Sequence, residues 1–275
     1  RLQHVLVIWR ALASRPRFDL ALDLQGTLRS AAWIYLSRAR WRAGFGSPRP
    51  GWQVSLTAGP ATHAVENCAA APRALGVAVE ALAPRLYCYP SAAASAGQIL
   101  RQHGVPQTGF VVLNPFSRWP SKEWPMERWA EVARCLEAEF GQTVVITGAA
   151  DEAIRARGLT QTCSGGAIVS LVGNLTLEQA MSVYRRARLM ISGDSGPMHV
   201  AAALGTPLLA LFGPTWPERS GPWGQRDAVL QARRPPTHHT YRHDPEGCYI
   251  RGLPVSSVLA KLRGLLGASL YSTLA

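Results

Sequence analysis

The chain has 275 residues, 47% of them hydrophobic, and a formal net charge of +12 from 29 Lys+Arg against 17 Asp+Glu. That length makes one large or two ordinary globular domains. Five cysteines, odd in number and without a C-x-x-C pair, argue against a disulfide framework or a zinc site, and no apolar run reaches the roughly 18 residues of a membrane span.

The cysteines, Cys68, Cys88, Cys135, Cys163 and Cys248, are widely spaced and point to a reducing compartment. No secretory signal is visible, and the sequence starts at Arg1 without a methionine. The basic balance favours anionic partners, either phosphorylated substrates or a membrane surface. The arginines are scattered, with no long Lys/Arg run, so no nucleic-acid partner is expected.

In chain order, Leu20 to Leu24 reads as a strand, followed by Gly26 and a helix near Leu28 to Leu36. Arg42 to Phe45 reads as a second strand, Ala64 to Leu75 as a helix and Leu86 to Tyr89 as a last short strand. Two or three strands do not complete a doubly wound domain, so the N-terminal domain is expected to lack its first elements. Ser91 to Gly109 reads as a helix plus a linker, giving an N-terminal domain over 1–95 and a C-terminal one over 105–266.

The second half alternates regularly. Strands are expected at Phe110 to Leu113, Thr143 to Ile146, Ala167 to Val169, Leu189 to Ser192 and Leu208 to Phe212. Helices are expected at Trp129 to Phe140, Asp151 to Leu159, Leu175 to Ala187 and Pro254 to Leu266. Thr176 with Gln179 three residues on has the capping-box pattern. Such alternation implies a parallel sheet with helices on both faces, an α/β fold of Rossmann type.

The stretch Ser192-Gly193-Asp194-Ser195-Gly196-Pro197-Met198-His199 reads as a strand, a tight turn and a helix start. Asp194 or Ser195 suits the cap and Pro197 the first turn. Gly193 and Gly196 leave room for a ligand against the backbone. Free N–H groups at such a start hold anions, phosphate above all. This points to a phosphate-bearing ligand, a nucleotide first of all.

Three further loops follow strand ends. Asn114-Pro115-Phe116-Ser117 leads to Lys122, and a hydroxyl with a lysine suits phosphate oxygens; the alternative is a solvated lysine beside a core Trp124. Glu152, after Thr147-Gly148, suits ribose hydroxyls, or serves as a first-turn acid on the helix dipole. Asp194 and His199 have plain readings as well, a cap and a core histidine. Phe212-Gly213-Pro214-Thr215-Trp216-Pro217 is the third such loop. In the first half, Gln25 and Arg29 follow the Asp23 strand, and His63 starts a helix. His238, His239 and His243 share a segment without an acidic or Cys partner at metal-ligand spacing, so a solvated loop is expected.

Asp23-Leu24-Gln25-Gly26 with Arg29-Ser30, His63-Ala64-Val65-Glu66, Ser121-Lys122-Glu123-Trp124-Pro125, Asp194-Ser195-Gly196-Pro197-Met198-His199 and Leu211-Phe212-Gly213-Pro214-Thr215 together resemble glycosyltransferase family 9, which contains the lipopolysaccharide heptosyltransferases. The resemblance implies a GT-B fold, two Rossmann-like domains facing across a cleft, and a donor, ADP-L-glycero-β-D-manno-heptose, on the C-terminal domain. By position Lys122 and Ser117 match diphosphate-binding residues and Glu152 the ribose-binding acid. Asp194, Ser195, Gly196, Met198 and His199 match the donor-site motif. Gln25, Arg29 and His63 fall on the acceptor side. The resemblance further implies inversion at the anomeric centre without metal or cofactor, and an anionic glycolipid acceptor in the lipopolysaccharide inner core. It places a monomer peripherally on the cytoplasmic face of the inner membrane. The family carries its base on an opening Gly-Asp loop, which has no counterpart before Asp19, so the base is expected upstream of Arg1. Rival readings are a family-9 transferase with another acceptor, a non-catalytic nucleotide-binding remnant, and a GT-B epimerase.

Overall fold

Runs of Val, Leu and Ile too short for helices, set between amphipathic stretches, fold into strands that all pair in parallel. A computed structural model describes residues 7, 9–10, 17–46, 52–56, 62–80, 82–161, 166–238, 240–244 and 247–272. Cys163 and His239 lie outside them. The chain divides into two compact units, up to Leu82 and from Ala83.

The first unit has β1 (Leu20–Asp23), α1 (Leu28–Leu36), β2 (Trp41–Phe45), β3 (Val54–Leu56) and α2 (Ala64–Ala74). Its described sheet has the order β1-β2-β3. The turn after β1 is fixed by Asp23, whose buried carboxylate accepts from the backbone N–H groups of Gln25 and Gly26 and from Ser30 Oγ, each at 2.9 Å. Gly26 has φ +70°, and a Cβ there would lie 3.2 Å from the Phe45 carbonyl oxygen, so only glycine fits. Thr27 then caps α1 in a capping box with Ser30.

Leu86 to Tyr89 forms no strand and pairs with none among the described residues, with Tyr87 and Tyr89 exposed and edge-to-face at 5.1 Å. The helix that follows, α3 (Pro90–Gln102), is no bridge between halves. Ala96 and Leu100 are fully buried with Phe110, Val112 and Tyr184 of the second unit, and Arg186 donates to the Ala93 carbonyl at 2.9 Å. The apolar face of α3 therefore moves the boundary from residue 95 to Leu82.

The second unit continues with β4 (Val111–Asn114), α4 (Met126–Ala138), β5 (Val144–Ile146), α5 (Ala153–Gln161) and β6 (Ile168–Ser170). Next come α6 (Leu177–Arg186), β7 (Leu189–Gly193), α7 (Gly196–Ala203), β8 (Leu208–Phe212), α8 (Pro217–Ser220), β9 (Val229–Gln231), α9 (Cys248–Arg251) and α10 (Val255–Ser272). Strand order is β6-β5-β4-β7-β8-β9, the doubly wound 3-2-1-4-5-6 order. Alternate residues feed the two faces. Val111 and Leu113 pack with Trp129 of α4 and Leu262 of α10, while Val112 packs with Leu100 of α3 and Val183 of α6. Trp124 meets Trp129 edge-on at 5.5 Å and donates its indole N–H to the Leu253 carbonyl at 2.9 Å. Among the described residues no helix is long and apolar enough to cross a membrane.

The expected capping box is present: Thr176 Oγ1 accepts from the Gln179 N–H at 3.3 Å and Gln179 Oε1 from the Thr176 N–H at 2.8 Å. Gln179 also donates to Ser95 Oγ of α3 at 2.7 Å, so this cap ties two helices together. Thr176→Ala is expected to cost about 0.5–2 kcal/mol. A lower midpoint in urea unfolding at unchanged slope is the expected result, and an unchanged midpoint would remove the cap from the stability of α6.

Candidate functional site

Three strand ends, after β4, β5 and β7, open into one cavity of about 540 Å³ within the second unit. It lies where the strand order reverses, between β4 and β7, which is where open parallel sheets bind ligands. Ser117, Lys122, Glu152, Asp194 and His199 are all in its wall.

Lys122 ends a 3₁₀ turn (Pro120–Lys122) and holds its ammonium 2.7 Å from Asp194 Oδ2. The Tyr241 ring lies 4.7 Å from that ammonium. The same Asp194 oxygen accepts from Thr215 Oγ1 at 2.7 Å. Side-chain exposure is 15% for Lys122 and 6% for Asp194, so the pair is largely withdrawn from solvent. Neither residue expected to cap α7 does so. Asp194 is committed to Lys122 and Thr215, and Ser195, at the N-cap position, makes no side-chain cap bond, its hydroxyl lying 3.2 Å from Ser192 Oγ. No side-chain oxygen therefore competes with a ligand for the first N–H groups of α7, and a Cβ on the exposed Gly196 would meet nothing within 4 Å.

The β5 loop is built around Gly148. A Cβ there would lie 2.6 Å from the Phe116 ring and 2.7 Å from Glu152 Oε2, so glycine lets the carboxylate fold back over the strand end. Glu152 Oε2 accepts from the Ala149 N–H at 2.6 Å. Burial raises the Glu152 carboxyl above the ordinary glutamate value of 4.5, and the Ala149 N–H only partly opposes it. A carboxyl raised on folding contributes stability that is full below its unfolded value and lost as pH rises through its folded value. Glu152→Gln is therefore expected to flatten the fall in stability above pH 4.5, read as urea midpoints across pH. Parallel pH curves for the two proteins would show that Glu152 is not raised.

Residues 5–250 match the family described as "Glycosyltransferase family 9 (heptosyltransferase)". The chain belongs to glycosyltransferase family 9. A lipopolysaccharide heptosyltransferase 3 of Escherichia coli is 31% identical over 175 residues, 62% of this chain and 50% of that relative. The chain thus spans about half the length of that relative. The structure of a family-9 glycosyl transferase from Veillonella parvula superposes with TM-score 0.85, at 22% identity over 97% of this chain and 78% of the other. The E. coli ADP-heptose lipopolysaccharide heptosyltransferase II does so with TM-score 0.74, at 21% identity over 97% and 82%. Those two likenesses establish the α/β fold.

Within this family-9 chain the other expected residues separate. Ser117 lines the cavity; its N–H donates to Glu123 Oε1 at 2.8 Å, and its hydroxyl accepts from the Trp119 N–H at 3.3 Å. Glu123, which pairs with Arg155, is thus the brace of the loop. His199 is an exposed wall residue and not a core histidine. Met198 is not in the wall: it is fully buried against Ala210 and Phe212, as a helical position one turn from the strand demands. The Phe212 to Pro217 loop does not line the cavity but supports it through Thr215. His238 Nδ1 accepts from the Trp216 N–H at 3.2 Å, and no metal-ligating group of three or more residues exists among the described residues.

In the first unit Gln25 and Arg29 are exposed, whereas His63 is buried as the cap of α2, its Nδ1 accepting from the Val65 N–H at 3.2 Å. Asp23 is wholly engaged in its own turn, which leaves it no part as a base. Asn114, Arg118, Thr147, Thr176 and Tyr184 also line the cavity and received no site role from the sequence. Asn114 and Thr147 were read only as the heads of their loops, at or just past strand ends in otherwise apolar runs, and Tyr184 lies inside α6, where no sequence signal marks it.

Proposed function

We propose that this chain is an inverting glycosyltransferase that moves heptose from ADP-heptose to the inner core of lipopolysaccharide, onto Kdo-lipid A or the first heptose. The carrying observation is the Lys122 ammonium, held by Asp194 in the wall of a cavity that also contains the start of α7. An ammonium has three protons; one on Asp194 leaves two for phosphate oxygens. The E. coli relative named for ADP-heptose has the same fold.

In this reading the acceptor hydroxyl attacks the anomeric carbon from the face opposite the diphosphate. The C–O bond to phosphate breaks, and ADP leaves with the bonding pair. Lys122, the Ser117 hydroxyl and the α7 N–H groups around Ser195 and Gly196 stabilise the charge growing on that leaving oxygen. Glu152 holds ribose, and His199 borders the sugar end of the donor. Gln25 and Arg29 face the acceptor. The net charge of +12 suits an anionic glycolipid and peripheral contact with the inner-membrane surface, and a monomer suffices. The proton of the attacking hydroxyl passes to a general base, and no described carboxylate is assigned that role. The two-domain GT-B arrangement belongs to the same proposal.

The test is product analysis by mass and NMR, with purified protein, ADP-heptose and defined truncated lipid A acceptors. One added heptose of inverted configuration is expected. Transfer from a different nucleotide sugar, with ADP-heptose inert, would refute the donor.

A further inference from the structure

The first unit carries a cavity of its own, about 610 Å³, at the end of its sheet away from the loop with Gln25 and Arg29. β1 and β2 run parallel, with Leu20 opposite Trp41, and the cavity lies where both strands begin. Arg17 precedes β1, Arg38 and Arg40 precede β2, and Arg42 lies within β2. The Arg40 N–H donates to the Phe18 carbonyl at 3.0 Å and the Trp41 N–H to the Asp19 carbonyl at 2.8 Å, which holds the two approaches side by side. Among the described residues the wall sets these four arginines against one acid, Asp19, and none of the four is ion-paired. Like charges gathered this way repel one another unless an anion comes to them. Arg38 carries a backbone cost as well: at φ +57° it is the one described non-glycine residue in the left-handed region. Exposed rings rim the cluster. Tyr35, 66% exposed, lies 5.4 Å from the Arg42 guanidinium, and Trp41, 51% exposed, lies 5.9 Å from that of Arg40. Open parallel sheets bind substrates at the carboxyl ends of their strands, so a cluster at the amino ends calls for a different partner.

We infer that this arginine cluster is the face on which the protein docks to an anionic lipid bilayer, its guanidinium groups taking headgroup phosphates. The peripheral contact proposed above rests on net charge alone; the cluster gives it residues and does not depend on the donor. Guanidinium forks match phosphate oxygens two at a time. Tyr and Trp rings, with an apolar body and a polar tip, favour the depth of the headgroups. Tyr35 and Trp41 supply such rings beside the charges. The form of the patch favours lipid over nucleic acid. A nucleic-acid strand needs a basic groove along its length and free ring faces for its bases, whereas these charges form one compact cluster and Arg42 already lies over the Tyr35 ring. Strands of four or five residues span roughly 13–17 Å, so the loop with Gln25 and Arg29 stands clear of the docked bilayer by about that distance.

The experiment is co-sedimentation with vesicles of phosphatidylcholine alone and of phosphatidylcholine and phosphatidylglycerol in equal parts. A cluster variant, Arg17→Ser with Arg38→Gly and Arg40→Ser, is compared with a charge-matched control, Arg101→Ser with Arg157→Ser and Arg226→Ser, all exposed positions of the second unit. An arginine against an anionic surface is worth about fivefold in binding. The cluster variant is therefore expected to bind the mixed vesicles about a hundredfold more weakly, and the control to stay within a few-fold of the unmodified protein. Binding is expected to weaken with salt and to be absent on phosphatidylcholine alone. Arg38→Gly by itself gives a second reading. Glycine takes φ +57° without strain, so the melting temperature is expected to hold or rise while vesicle binding falls about fivefold. A lower melting temperature with unchanged vesicle binding would make Arg38 a counter-charge for the end of α1 and overturn its place in the face. If the triple variant fails to melt cooperatively, Arg17→Ser and Arg38→Gly carry the comparison singly. Equal losses in the two triple variants would overturn the cluster and leave membrane contact to net charge. No binding of the unmodified protein to mixed vesicles would overturn both. Displacement by inorganic phosphate at constant ionic strength would make this a site for the free anion. Tighter binding of an RNA oligonucleotide, lost in the cluster variant, would make it a nucleic-acid site, and either result overturns the bilayer. Heptose transfer to an acceptor dispersed in detergent tests the donor reading separately, because the cluster variant is expected to retain it.

Discussion

Lys122→Ala is expected to weaken ADP binding by about 1–3 kcal/mol, the worth of a charge-assisted hydrogen bond. The structure argues for the upper part of that range. Alanine removes the cation and also strips Asp194 of its partner, leaving a carboxylate 6% exposed with, among the described residues, Thr215 alone to donate to it. A diphosphate entering the cavity then meets an uncompensated negative charge where it met an ammonium. The same change is expected to cost stability. Breaking a fully buried pair costs roughly 3–5 kcal/mol, and this pair sits in the wall of a cavity open to water, so part of that cost is expected. Calorimetry and urea unfolding on the same sample separate the two effects. Unchanged ADP affinity would remove Lys122 from the site, whatever happened to stability.

The framework was legible where pattern and length agreed. β8 was expected at Leu208 to Phe212 and occupies those residues, because five fully buried apolar positions between a Gly-Thr-Pro turn and a Gly-Pro turn allow little else. The Thr176–Gln179 box was legible because both halves of the signal are local. β3 and β9 were missed: each is three residues long, and its pairing is supplied by the neighbouring strand rather than by its own pattern. Leu86 to Tyr89 looked like a strand because its composition is apolar and aromatic, but no strand among the described residues pairs with it. The site divided on the same line. Lys122 and Asp194 were both named, yet their contact spans 72 positions and no periodicity reports it. Met198 was placed by its motif and not by its face on α7, where spacing turns it inward. Asn114 was read only as the head of the loop to Lys122; that its Oδ1 is left unbonded among the described residues is visible only once the chain is packed.

If Lys122 and Asp194 act as an exchangeable ion pair, the variant Asp194→Asn must move ADP affinity in the opposite direction from Lys122→Ala. Asparagine keeps an oxygen to accept from Lys122 or from Thr215 and removes the charge that the carboxylate sets against a phosphate. Two unit charges roughly 8 Å apart interact by about 2 kcal/mol at an effective dielectric near 20. The cavity is open to solvent, so a tightening of about 1–2 kcal/mol is expected at low salt, shrinking as salt rises. Without ligand the sign reverses, because the ammonium has lost its counter-ion and the fold loses stability. ADP supplies the missing counter-ion, so the rise in melting temperature on adding saturating ADP should be larger for the variant than for the unmodified protein. The plain alternative, that Asp194 only braces the wall through Lys122 and Thr215, makes a different forecast. The variant would then lose a similar amount of stability with or without ADP and would bind it unchanged. Equal ADP-induced shifts in the two proteins would therefore leave Asp194 that structural role alone, and weaker ADP binding by Asp194→Asn would mean that the carboxylate itself contacts the donor.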